Sequence, residues 1–262
     1  MHPTTDPDEP ASSAPMPLPR HGAIFASLAL SLLGWALLVW LAFDMGHPLA
    51  RLTMPTSPQW TAANLFAVFT MWAVMMVAMM LPSALPMIRT FSALSVQQAE
   101  RSRAQAFVAA YVLVWVGFSA AATGAHWALQ AAGWINPMIA STSVMLSVAL
   151  LIIAGVYQFT PLKHVCLAKC RTPVGFLLGE WRPGVAGGFA MGLRHGLFCV
   201  GCCWILMALL FVGGAMNLTW IAALSIAVAI EKLAPGGDRL SHWLGVALIA
   251  VGLLRLVLLT GG

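Results

Sequence analysis

Residues 187–213 read GGFAMGLRHGLFCVGCCWILMALLFVG, and this stretch decides the fold. Its only Asp, Glu, Lys or Arg is Arg194. The run exceeds the roughly 20 residues that a helix needs to cross a bilayer core. Met191, His195, Cys199, Cys203 and Met207 recur within it at every fourth position, with Cys202 alongside. Side chains four residues apart stack on one helix face. An apolar span gains nothing from an imidazole without a partner. Histidine, cysteine and methionine are all ligand types for soft or borderline metals.

The remaining sequence extends the pattern. Of 262 residues, 60% are hydrophobic and 8% charged, against about a quarter charged in soluble domains. Apolar runs at 22–43, 61–88, 104–129, 138–159, 187–213, 217–233 and 241–259 predict an all-α, polytopic transmembrane bundle of about seven spans. They form one domain over residues 21–262. The proline-rich residues 1–20 read as a disordered tail. The run 22–43 is too long for a signal-peptide core and lacks a small-residue cleavage site, so it is expected to stay as the first span.

Charge placement sets the orientation. Arg20, Arg89, Arg101, Arg103, Lys163, Lys169, Arg171, Arg182, Arg194, Lys232 and Arg239 fall on one side, which is eleven of the thirteen Lys and Arg residues. By the positive-inside rule that side is the cytoplasm, so the amino terminus is inside. The expected location is a bacterial cytoplasmic membrane, with the lipid bilayer as the first partner. Basic residues that sit mostly in loops between apolar runs are a topology signal, not a nucleic-acid footprint.

The cysteines fall in two groups, both toward the reducing side, where a disulfide framework is not expected. Cys199, Cys202 and Cys203 lie within the fifth span, with His195 one turn before them. Cys166 and Cys170 lie in the basic loop Lys163 to Arg171, on a common face if that stretch is helical. Several glycines of the fifth span, including Gly188, Gly192 and Gly196, suit close helix contact.

The second span carries a methionine block, Met71, Met75, Met76, Met79 and Met80, ending at Pro82. Thioethers bind Cu(I) well and hard ions poorly, although methionine also fills apolar cores. Pro82 removes the hydrogen bond to the carbonyl of Ala78 and is expected to kink or loosen the helix. Met45, His47, Met54, His126, Met138 and Met216 lie toward the outer face, where they could capture metal. Glu231 and Lys232 end the sixth span and read first as a solvated helix end, with a buried ion pair as the alternative.

At these residues the chain resembles a bacterial family of predicted metal-binding integral membrane proteins whose function is undefined. The likeness rests on the Trp72 to Pro82 methionine block and on Tyr157 to Lys163 followed by Cys166 and Cys170. It rests also on His195 to Trp204, Met216-Asn217-Leu218 and Glu231-Lys232. It covers about residues 60–240 and implies a membrane location and a metal site.

The leading expectation is a membrane protein that binds Cu(I), or another soft or borderline ion such as zinc, for transport or delivery. Its ligands are drawn from His195, Cys199, Cys202, Cys203, Met75, Met76, Met79 and Met80. Cys166 and Cys170 would exchange metal with a cytosolic carrier. Two other readings stay open: a scaffold subunit of a membrane complex, and a thiol oxidoreductase using Cys199 and Cys202. No ATP-binding motif is present in the sequence.

Overall fold

Without water, a backbone must satisfy its own N–H and C=O groups, so apolar runs fold as helices. The structure is a computed structural model, and it describes residues 22–97 and 101–260. The chain runs through α1 (Gly22–Phe43), the short α2 (Pro48–Thr53), α3 (Ala62–Gln97) and α4 (Arg101–Ala131). Next comes α5 (Val144–Tyr157), which bends by 65° into α6 (Pro161–Arg171). α7 (Pro173–Glu180) leads into α8 (Gly184–Ala208), which α9 (Leu210–Gly213) extends. α10 (Leu218–Leu233) and α11 (Gly237–Thr260) complete the fold. Among the described residues there is no β-strand, only an isolated bridge between Ile135 and Ser141.

Among the described residues α1, α3, α4, α8 with α9, and α11 are long and apolar enough to cross a membrane. The bent α5–α6 pair makes a sixth candidate. The seven expected spans are therefore not matched one for one. α10 has 16 residues, about 24 Å of helix, and falls short of a bilayer core of about 30 Å. The stretch read as a basic loop is instead α6, which begins at the Thr160 cap and folds back against α8. The proline-rich tail lies outside the described residues. Asn217 caps α10 by accepting from the Trp220 amide at 3.2 Å.

α3 continues through both Pro82 and Pro86, where a kink or loosening was expected. The Ala78 carbonyl, which Pro82 leaves without its amide, accepts instead from the Ser31 hydroxyl of α1 at 2.9 Å. A neighbouring hydroxyl thus repairs the proline defect.

α8 lies along α4, and its glycines make the contact. A Cβ at Gly188 would come within 2.7 Å of the Arg103 carbonyl, and one at Gly196 within 2.9 Å of Val114. At Gly192 it would meet the Phe107 carbonyl. Small residues of this kind let helix backbones approach without a bilayer-driven hydrophobic force. The close approach fixes α8, and with it the depth and rotation of Cys199. We expect Gly192→Leu to destabilise the fold by at least about 1–3 kcal/mol. Gly124→Ala, where a Cβ meets nothing within 4 Å, should be neutral or slightly stabilising. Thermal unfolding in detergent, followed by circular dichroism, checks both.

Candidate metal centre

α10 carries Glu231 and Lys232 at neighbouring positions, and both are buried. The expectation of a solvated helix end is therefore corrected. Consecutive residues on a helix point about 100° apart, so the two charges face different neighbours. The Glu231 carboxylate accepts from Lys163 of α6, at 2.9 Å on Oε1 and 2.8 Å on Oε2. It accepts also from the Ser241 hydroxyl of α11 at 3.0 Å. Lys163 donates in addition to the Gln158 side-chain carbonyl. This network ties the α5–α6 bend to α10 and α11.

Lys232 faces the other way, into sulfur. Its ammonium is 3.0 Å from Cys199 Sγ, 3.2 Å from Ser83 Oγ and 3.8 Å from Met80 Sδ. The Tyr111 hydroxyl of α4 meets the same Cys199 sulfur at 3.0 Å. Tyr111 also donates to the Met80 carbonyl at 3.2 Å. Cys199 is thus the point where α3, α4, α8 and α10 converge. The sequence left open whether the second and fifth spans face each other. Lys232 and Tyr111 bridge Met80 of α3 to Cys199 of α8.

α6 brings in the second cysteine group. Cys170, half-buried, packs against the same core that holds Cys199 and Cys202. Cys166 is buried and packs on α8 at Gly201, where an added Cβ would come within 2.7 Å of its sulfur. The two cysteine groups of the sequence therefore form one assembly.

The individual thiols do not all point to a common centre. Cys202 and Cys203 donate back to the Cys199 carbonyl at 3.1 and 3.0 Å, a local bond that side chains on a helix form to the preceding turn. Among the described residues no three His, Cys, Asp or Glu side chains are grouped to hold a metal ion. The soft donors that meet at Lys232 are Cys199 Sγ and Met80 Sδ, with Cys170 packed on the same core. Low-coordinate, sulfur-only ligation suits a soft monovalent ion better than zinc, which takes four ligands.

The other expected site residues separate into two groups. His195 is buried one turn before Cys199, between rings. It stacks on Phe107 and Tyr111, at 5.8 and 5.6 Å between centroids, and meets Phe176 edge-on at 5.5 Å. Its Nδ1 has no hydrogen-bond partner. Met75, Met76 and Met79 are fully buried core residues, while the Met80 sulfur accepts from the Lys232 ammonium that also meets Cys199. Of the histidines expected to capture metal, His47 caps α2 by accepting from the Leu49 amide, while His126 packs on Trp60.

Three contributors were missed in the sequence: Lys232, Tyr111 and Ser83. The signal for Tyr111 was available. The chain has two tyrosines, and a buried phenol in an apolar helix requires a partner for its hydroxyl. Both reach α8, Tyr111 at Cys199 and Tyr157 at the Gly201 carbonyl, 2.5 Å away.

The fold and this assembly define a class: a polytopic helical protein, compatible with a multi-pass membrane location, with thiols, thioether and ammonium gathered in its core. The family model described as "PpoB2: Copper chaperone" matches residues 69–255. The chain belongs to that family, and its function is copper-related. No curated protein and no solved structure matches it.

Removing one half of a buried ion pair leaves the other half uncompensated, at about 3–5 kcal/mol. Glu231→Gln is accordingly expected to lower the thermal unfolding temperature in detergent sharply. Lys163→Met combined with Glu231→Leu should recover most of the loss. An additive double mutant would show that the two groups are not energetically coupled.

Proposed function

We propose that this protein is a copper chaperone of the bacterial cytoplasmic membrane that receives and delivers Cu(I) through a sulfur seat centred on Cys199. The observation that carries this reading is that Cys199 of α8 and Met80 of α3 meet at the buried Lys232 ammonium, with Cys170 of α6 packed on the same core. Thiolate and thioether ligands select Cu(I). The seat is buried in an apolar core, which shields a bound ion from water and from competing oxygen ligands.

Cys170 is the exchange thiol. It is half-buried, so a cytosolic carrier can meet it, and it packs on the core that holds Cys199 and Cys202. Transfer is ligand exchange with copper remaining Cu(I): each new bond to a cysteine sulfur releases one thiol proton, which passes to the carrier thiolate whose bond to copper breaks, and the Met80 thioether binds without releasing a proton. Cys202 and Cys203 keep their bonds to the Cys199 carbonyl and stay outside the ligand pair. His195, with Nδ1 unpartnered, is the next donor along the same helix face. Met75, Met76 and Met79 line the core beside Met80 and extend the soft surroundings. Cys166 serves packing against Gly201.

The test is the metal content of detergent-purified protein after anaerobic Cu(I) loading. The expected result is about one copper per chain, lost in the Cys199→Ser/Cys202→Ser/Cys203→Ser variant without change in circular dichroism or elution volume. Copper retained at full stoichiometry in that folded variant overturns the seat.

A further inference from the structure

We propose that Lys232 is the residue that makes the seat selective for a monovalent ion. This inference rests on the Cys199 seat described above and goes beyond it. An ammonium removed from water requires an opposite charge nearby. Neighbouring Glu231 does not supply it, because its carboxylate is engaged by Lys163 and Ser241. The ion pairs among the described residues are Lys163–Glu231, Arg171–Asp238 and Arg194–Glu180, and Lys232 is in none of them. Its partners are Cys199 Sγ, Ser83 Oγ and Met80 Sδ. The anion that Lys232 is placed to neutralise is therefore a sulfur ligand set.

The charge arithmetic then distinguishes metals. Cu(I) held by the thiolates of Cys199 and Cys170 is a complex of net charge −1, and the ammonium beside Cys199 brings the buried total to zero. A divalent ion on the same pair is already neutral, and the ammonium then leaves one positive charge uncompensated in an apolar core. A third thiolate would rebalance a divalent ion. No group of three such ligands is arranged to hold one among the described residues. The hydroxyls of Ser83 and Tyr111 hold the ammonium and the sulfur in place without adding charge. Lys232 is thus a positioning and specificity residue, not a metal ligand.

Competition titrations with Cu(I) and Zn(II), each against a chelator of known affinity, test this on full-length protein in detergent under anaerobic conditions. Ag(I) serves as a second monovalent probe. Lys232→Met is expected to lower the Cu(I):Zn(II) affinity ratio by about tenfold or more, with Ag(I) following Cu(I). Lys232→Arg, which keeps the charge, should hold the ratio within about threefold of wild type. A purely structural role would weaken both metals together and leave the ratio unmoved. Lys232→Gln is measured in parallel, so that a loss of folding in one neutral variant does not decide the matter. An unchanged ratio in the neutral variants overturns the inference while leaving the seat intact. Failure of wild-type protein to bind Cu(I) overturns the seat itself.

Discussion

A lysine ammonium buried against a cysteine sulfur is the constraint on which this architecture turns. Charge inside an apolar bundle is tolerated only where the protein itself answers it. Lys232 is answered by Cys199, Ser83 and Met80, so α3, α8 and α10 have to meet at one depth. Glu231, the preceding residue, is answered by Lys163 and Ser241, so α6 and α11 have to meet α10 on its other side. One dipeptide on a 16-residue helix thereby joins a sulfur assembly to an ion-pair network.

Geometry elsewhere serves the same point. The glycines of α8 let it lie against the α4 backbone, which brings the Tyr111 hydroxyl to Cys199. Ser31 completes the carbonyl that Pro82 frees, so α3 stays helical through Met79 and Met80. The bend between α5 and α6 returns Cys170 to the cluster and leaves that thiol half-buried. A chaperone in the proposed role needs such a compromise: shielded enough to hold copper, and open enough to pass it on.

Much of this was legible in the sequence, for identifiable reasons. Long apolar runs and four-residue spacing act locally, so the α8 face carrying His195, Cys199 and Cys203 and the glycine contact could be read directly. The order of the apolar runs also gave the helical class. Lys232 was misread because charges near helix ends usually reach water, and nothing local shows that a short helix is wedged between others. The α6 cysteines were read as loop residues because a polar, basic stretch resembles a loop until its neighbours are known. Met75, Met76 and Met79 carry the same sulfur chemistry as Met80, and rotation about α3, invisible in one sequence, decides which of them meets Lys232 beside Cys199.

The central claim is that sulfur centred on Cys199 holds the cargo. X-ray absorption at the copper edge of the loaded, full-length protein in detergent tests it most directly. The account predicts copper in the Cu(I) state with a low-coordinate shell of sulfur scatterers. A shell of nitrogen and oxygen neighbours, with the outer-ring scattering of imidazole and no sulfur, would contradict it.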